Sequence, residues 1–397
     1  MAIEKLHIEE FLELAKHYQV IDVRSPGEYK HAHIPGAYTL PLFTDEERAA
    51  VGTAYKQESR EKAIKLGLDF FGPKMKNMIE EVERLIGNRQ QTISDPPGKN
   101  LPIANCLLLY CWRGGMRSAG VAWLMDLYGF KVYTLIGGYK KFRNHILETF
   151  KLPFQFKILG GYTGSGKTEV LKELKRKGEN VVDLEDIAKH KGSAFGNIGL
   201  PPQPTQEMFE NILAMELRKS SMVNGELSIG NGQSATTLLN SQFARNVNID
   251  HSPLTIHHSP IWLEDESQRI GLVNIPGDLW KSMRQSPVYF LEISFEERLN
   301  YIVQEYGSLS REKMMDAIER ISQRLGGLES KNAISLLQQN DITACFRILL
   351  TYYDRWYLRG LHNRESLNSL LNTVVCDSVN PLNAKKLAQK PEYYENL

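Results

Sequence analysis

Long apolar runs are missing from this sequence of 397 residues. No uninterrupted stretch approaches the roughly 20 residues of a membrane span, so a transmembrane helix is not expected. Cysteine is scarce: Cys106, Cys111, Cys345 and Cys376 are all there is, without paired metal spacing. That excludes a disulfide-stapled or zinc-ribbon framework and suggests a reducing compartment. The N-terminus MAIEKLHIEEF is charged from its fourth residue, unlike a secretory or transit peptide, and the cytoplasm is the expected location. Charge of one sign is lacking too. A formal net charge of +1 argues against general nucleic-acid binding through a basic surface. The basic stretches KKFR (140–143) and KELKRK (172–177) read as solvated helix faces. Neither internal repeats nor low-complexity tracts are present.

What is there has the composition of a soluble globular protein, with chain enough for two domains. Residues 8–17 predict a helix, 18–24 a buried strand and 37–42 a short strand. From Thr44 to about Gly87 the pattern is helical, opened by a capping box of Thr44 and Glu47. The polar segment 88–102, with Pro96-Pro97-Gly98, predicts a loop. Strands follow at 107–111 and 131–136, with helices at 116–129 and about 139–150. KLPFQ (151–155) marks a domain boundary, and FKILGG (156–161) restarts the alternation. Further strands are expected at 180–184, 260–264 and 287–293. Helices are expected near 204–222, 295–305, 310–325 and 332–357. Residues 224–259 show no clear periodicity. Strands alternating with helices predict two parallel sheets covered on both faces.

YCWRGGMRSAG (110–120) puts a cysteine where a strand gives way to a helix. Backbone N–H groups of residues 112–117 can curl round an anion there, helped by the helix N-terminus. Gly114 and Gly115 allow the dihedrals of such a cradle, and Arg113 and Arg117 add positive charge. These surroundings favour a thiolate, which makes Cys111 a candidate nucleophile, while Cys106 and Cys376 read as buried and inert. Asp22 and Arg24, at the end of the first long strand, form a bracing pair. His33 just beyond is a weaker candidate for a general base.

GYTGSGKT (161–168) fits the phosphate-loop pattern G-x-x-x-x-G-K-[ST] between an apolar strand and a helix. Gly161, Gly164, Ser165, Gly166, Lys167 and Thr168 are the expected phosphate-binding residues, with Lys167 on the outer phosphate. Thr168 would face Mg²⁺. An acid at a neighbouring strand end should complete the metal site. Glu264 and Asp265 are the first choice, with Asp265 as the metal partner, and Asp183 with Glu185 the second. Arg298, Arg311, Arg320 and Arg324 are candidates for a lid over the phosphates.

VIDVRSPGEYKHAHIPGA (20–37) and GFKVYTLIGGYKKFR (129–143) resemble the entry and closing motifs of rhodanese domains. The common rhodanese loop reads C-x-x-G-x-R-S. Here it is one residue longer, C-x5-R ending at Arg117, as in rhodanese-like phosphatases, and suits a tetrahedral anion. GGYTGSGKTEVL, VVDLEDIAKHKGSAFG, LPPQPTQEMFEN, IWLEDESQRIG and the cysteine loop together resemble the tRNA 2-selenouridine synthase family. The resemblance implies a rhodanese-like parallel-sheet domain (5–147) followed by a P-loop NTPase-like parallel-sheet domain (154–380) with extra C-terminal helices.

It further implies that wobble 2-thiouridine of tRNA becomes 2-selenouridine, with selenophosphate as donor and an S-geranyl intermediate made from geranyl diphosphate. Cys111 would deliver selenium, as carrier or acid-base partner, and the loop would hold the donor's phosphate. The phosphate loop would hold the diphosphate of the geranyl donor. No tightly bound cofactor is expected, and Mg²⁺ would join at Thr168 and Asp265. The partners would be tRNA and an enzyme that makes selenophosphate. Three alternatives stay open: an ATP-dependent sulfurtransferase–kinase fusion, a C-x5-R phosphatase with a regulatory nucleotide site, and a non-enzymatic tRNA- or protein-binding module.

Overall fold

The computed structural model describes residues 3–92, 106–222 and 260–388. Residues 224–259 and the Pro96-Pro97-Gly98 segment lie outside the described residues. The chain divides into two units, Met1–Thr149 with Glu210–Ile212, and Phe150–Phe209 with Leu213–Leu397. Among the described residues no helix is long and apolar enough to cross a membrane.

The first unit runs β1 (Glu4–Leu6), α1 (Ile8–Ala15), β2 (Gln19–Asp22), α2 (Pro26–His31), β3 (Tyr38–Thr39), α3 (Asp45–Gln57) and α4 (Arg60–Phe71). It continues with α5 (Met75–Thr92), β4 (Cys106–Tyr110), α6 (Met116–Tyr128), β5 (Lys131–Leu135) and α7 (Gly138–Thr149). The strands form one parallel sheet in the order β1-β5-β4-β2-β3. CLLLY is buried at every position, as a central strand covered on both faces must be. The chain winds outward from β2 to β3 and, the other way, from β4 to β5. The winding therefore reverses between β2 and β4, where ligands commonly sit at the strand ends. Asp22 pairs with Tyr110 at that point, so the chain leaves both strands side by side there.

Two local expectations are adjusted. The strand expected over 37–42 keeps only Tyr38–Thr39, because Pro41 has no N–H for the ladder. The helical pattern from Thr44 is three helices. Ser59 interrupts it by accepting the Lys62 N–H from an extended backbone, and a tight turn over Gly72–Lys74 carries Pro73. The Thr44–Glu47 capping box is present. Val121, Ala122 and Met125 of α6 pack with Leu107 and Leu109 of β4 and with Phe71 and Val82 of the added helices. Each such fully buried large apolar side chain contributes about 1.5–3 kcal/mol.

The second unit contains β6 (Phe156–Gly161), α8 (Lys167–Arg176), β7 (Asn180–Val181), α9 (Leu184–Ala188), α10 (Gln206–Met222), β8 (Ile261–Glu264), β9 (Arg269–Ile270) and β10 (Val273–Asn274). After these come α11 (Gly277–Arg284), β11 (Val288–Glu292), α12 (Phe295–Tyr306), α13 (Arg311–Arg320), α14 (Gly327–Gln338), α15 (Ile342–His362) and β12 (Leu371–Val375). A parallel sheet has the order β12-β11-β6-β8-β7, and β9 and β10 form a small antiparallel pair. The strand expected over 180–184 stops at Val181, because Asp183 turns to cap α9 by accepting the Asp186 N–H. The helix expected over 332–357 is two, α14 and α15, separated at Asn340 with φ 62°. The α12–α15 helices share a core of Met314, Ala317, Leu337, Phe346 and Leu349.

Candidate active site

β4 delivers Cys111 to the C-terminal edge of the first sheet, and α6 starts five residues later at Met116. The thiol is buried. Its Sγ receives the Gly115 N–H at 3.3 Å and lies 3.2 Å from the Ser118 hydroxyl. Gly115 caps α6 without any side-chain acceptor, which leaves the first N–H groups of the helix for an anion. The loop is fixed from behind by α7: Tyr139 N–H donates to the Cys111 carbonyl and Lys140 N–H to that of Trp112. Two glycines make this approach possible. Gly114 has φ +65° and a side chain there would strike the Leu135 carbonyl; Gly138 has φ +58° and one there would strike the Cys111 carbonyl. Gly115 differs, since nothing lies within 4 Å of where its Cβ would be.

Arg113 is exposed at the loop tip. Arg117 is not turned into the loop. Its guanidinium grips Glu28, with Nη1 to Oε2 at 2.7 Å and Nη2 to Oε1 at 3.4 Å. Burial opposes ionisation of Glu28, yet the hydrogen bond and charge of Arg117 hold its carboxyl below the usual value. Asp22 and Arg24 are the bracing pair expected. Arg24 Nη2 donates to Asp22 at 2.6 Å and to the Ala32 carbonyl at 2.6 Å, and Tyr110 donates to Asp22 at 2.7 Å. Arg24 also lies 3.9 Å from the centre of the Tyr139 ring. His33 is structural: it stacks on Tyr29 and bonds its carbonyl, and burial lowers its basicity. A cavity of about 920 Å³ opens beside Cys111, walled by α3, α4 and α6. The other cysteines are buried, and burial pushes the Cys106 and Cys345 thiols up to about 12 and raises that of Cys376.

The phosphate loop follows the central strand of the second sheet and lines a separate cavity of about 770 Å³. Gly161, Gly164 and Gly166 have φ +150°, +82° and +73°, conformations that side chains resist. Lys167 reaches back to the Gly161 carbonyl at 2.9 Å, the position phosphate oxygens would take from it. Tyr357 of α15 accepts the Gly161 N–H at 3.1 Å and donates to Asp265 at 2.7 Å, and Arg364 also pairs with Asp265. Asp265 is thus committed to a tyrosine and an arginine. Thr168 instead meets Glu185, 3.3 Å away, so Glu185 and not Asp265 is the acid that stands beside the threonine hydroxyl. The lid expectation changes as well. Arg298 is buried, paired with Asp354 and bonded to the Thr163 carbonyl, so it braces the loop from below. Arg311 binds the Gly307 and Leu309 carbonyls, and Arg320 that of Ala194. Only Arg324 of the four lines the cavity.

Around Thr168 the acids crowd. Burial first, then the charges of Asp183 and Glu185, push Glu264 well above the usual carboxylate range. Burial and Glu185 do the same to Glu266, and burial and Asp183 raise Glu185 despite the opposing charge of Lys167. Glu264 Oε1 has no hydrogen-bond donor and Ser165 Oγ no partner among the described residues, while Glu264 Oε2 accepts the Leu184 N–H at 3.0 Å. Among the described residues no three His, Cys, Asp or Glu side chains form a metal cage. Mg²⁺ needs none: it takes one or two protein oxygens and completes its shell with phosphate and water. Carboxyls crowded in this way would ionise against a cation, so beside a threonine hydroxyl they suit that ion.

Reading the sequence brought out the two loops but not Glu28, Ser118, Glu266, Tyr357 or Arg364. Glu266 had a signal in the acid run LEDES, and Ser118 in the loop itself. The other three lie 89, 196 and 99 residues from the groups they hold, beyond any spacing rule.

Comparison with known proteins agrees along both units. The sequence model described as "tRNA 2-selenouridine synthase AAA domain" matches residues 154–230 and 232–373, and that described as "Rhodanese-like domain" matches 7–145. A tRNA 2-selenouridine synthase of Pseudomonas syringae pv. syringae (strain B728a) is 33% identical over 340 residues, 80% of this chain and 78% of that protein. One of Hydrogenovibrio crunogenus (strain DSM 25203 / XCL-2) is 32% identical over 377 residues, 86% of this chain and 89% of that protein.

Proposed function

The chain belongs to the tRNA 2-selenouridine synthase family, and from that premise we propose that it replaces the 2-sulfur of wobble 2-thiouridine in tRNA by selenium from selenophosphate, through an S-geranyl intermediate. The observation that carries this reading is the cysteine loop. A buried sulfur that accepts the Gly115 N–H and shares a hydrogen bond with the Ser118 hydroxyl stands at an uncapped helix N-terminus, with Arg113 at the loop tip and Arg117 held nearby by Glu28.

The first step forms a bond between the nucleoside sulfur and C1 of geranyl diphosphate. The C1–O bond breaks, pyrophosphate leaves, and the N3 proton is lost to solvent. Gly164, Ser165, Gly166 and Lys167 receive the diphosphate, and Lys167 exchanges the Gly161 carbonyl for a phosphate oxygen. Thr168 and Glu185 would hold Mg²⁺, which when bound neutralises the charge building on pyrophosphate.

In the second step the selenium of selenophosphate bonds to C2 of the nucleoside, and the C2–S bond breaks. Geranylthiolate leaves and takes up a proton, which Cys111 or Ser118 would supply. Water then cleaves the P–Se bond and releases phosphate. Alkylation makes this feasible, because an alkylthiolate leaves far more readily than a thiocarbonyl sulfur. Gly114, Gly115 and the α6 N-terminus would hold the donor's phosphate, with Arg113 closing from the loop tip. Arg117 would join once an anion competes with Glu28.

The test is nucleoside mass spectrometry after anaerobic incubation with 2-thiouridine tRNA, geranyl diphosphate and selenophosphate. Wild type should yield 2-selenouridine. Cys111→Ala should stop at S-geranyl-2-thiouridine, and Lys167→Ala should lose the geranylated product. Unchanged tRNA in every reaction, with both donors verified as active, would overturn the reading.

A further inference from the structure

The cavity beside Cys111 is larger and more apolar than an anion loop needs. Its walls carry aliphatic and aromatic side chains from α3, α4, the start of α5 and α6, such as Val51, Ile64, Phe71, Met75 and Trp123. Five large side chains lining it stay open: Tyr55 is 53% exposed, Leu68 54%, Trp112 39%, Met116 54% and Trp123 51%. Scattered singly on a surface they would mean little, but they converge on one concavity, which folding alone does not require. Space is left on two sides, since neither Gly52 of α3 nor Gly115 has an atom within 4 Å of where a Cβ would stand. Positive charge gathers at the sulfur end. Arg113 and Arg117 belong to the loop, and Arg48 lies 3.5 Å from the Glu28 that Arg117 holds. Lys56 is the other cation of the lining. The site is therefore amphiphilic, with anion-binding groups and a sulfur at one end and an oily chamber behind them.

We propose that this chamber binds the hydrocarbon chain of an S-alkylated tRNA nucleoside while its C2–S bond lies at Cys111. The inference rests on the S-geranyl route above and gives the chain a seat apart from the phosphate loop. Ten carbons fill roughly 300 Å³ at about the volume of one liquid water each, well within the space available. Each methylene removed from water is worth roughly fourfold in affinity, so chain length should be read strongly.

The full-length protein would be given tRNA bearing S-geranyl, S-dimethylallyl or S-methyl 2-thiouridine, with selenophosphate, and kcat/KM measured for each. Wild type should favour the ten-carbon chain over the five-carbon one by at least about tenfold. Gly52→Phe fills the chamber from a helix position with free space, and Leu68→Asp places a charge in its wall. Both should shrink that ratio several-fold while circular dichroism stays that of wild type. Quenching of tryptophan emission by geranyl thiol gives a second readout, saturable in wild type and weakened in both variants. Equal kcat/KM for all three chains, or variants with ratio and quenching unaltered, would overturn the inference. If no S-alkylated tRNA is converted, the reaction route fails on its own account. The titration then decides the chamber: saturable quenching lost in both variants sustains it, and its absence removes it.

Discussion

Glu28 serves two masters. It closes the capping box of α2 with Ser25 and holds Arg117 by its guanidinium. An anion entering the loop must compete with that carboxylate for the arginine, so the loop binds less tightly than its charges suggest. Glu28→Gln should weaken the hold and let Arg117 turn inward. Inhibition by inorganic phosphate should then strengthen several-fold, at a stability cost of about 1 kcal/mol from the cap. An unchanged inhibition constant would mean that Arg117 never leaves its resting place. Gly138 offers a sterner test. Alanine there combines an unfavourable φ with a clash on the Cys111 carbonyl, so Gly138→Ala should lower Tm and abolish selenation while geranylation persists. Retained selenation would show that the cysteine loop can shift without harm.

Residues of this kind mark the limit of what one sequence shows. Cys111, Gly114 and the phosphate-loop glycines are legible because each loop is a contiguous segment whose spacing carries its own geometry. Asp265 misled for the converse reason. An acid at a strand end looks the same in sequence whether it faces a metal or, as here, Tyr357 and Arg364.

Among the elements, α15 has an unexpected hold on the phosphate loop. Its Tyr357 is hydrogen-bonded to the Gly161 N–H, and its Asp354 pairs with the buried Arg298 that carries the Thr163 carbonyl. Asp354→Ala leaves an arginine buried and uncompensated, and should cost about 3–5 kcal/mol, read as a lower midpoint in denaturant. Tyr357→Phe removes one acceptor, and should cost about 1–3 kcal/mol and raise KM for geranyl diphosphate. A normal KM in that variant would make the tyrosine a packing residue only. At this scale most helices and central strands were readable from periodicity and from apolar runs such as CLLLY. The strands β1 and β12 were not. EKL and LNTVV are short edge segments with little apolar pattern, and only their neighbours make them strands.

For the molecule as a whole, alternation of strand and helix suffices to expect two parallel sheets, whereas strand order is set by contacts that no local pattern records. A global consequence lies in the crowded acids of the second unit. Glu264 holds its proton above the ordinary value of 4.5, so the folded state binds a proton that the unfolded chain releases. Its share of stability is full below that ordinary value and drains away as pH rises through the raised one, each unit of displacement amounting to about 1.4 kcal/mol. In chelated, phosphate-free buffer Tm should therefore fall with rising pH, and Glu264→Gln should flatten that slope. Parallel slopes for wild type and variant would show that the proton resides elsewhere.

Strand order also bears on how the chain is made. The first sheet is complete once residue 135 has been synthesised, and its last strand to emerge, β5, enters between two strands, β1 and β4. The second sheet begins with its central strand, β6, and waits for β8 and β11 on either flank and then for β12 at residues 371–375. A ribosome therefore releases a strand that carries the phosphate loop at its end long before its neighbours exist. For more than a hundred residues of translation that strand has an unpaired side, and the nascent chain must keep it from foreign strands until β11 arrives.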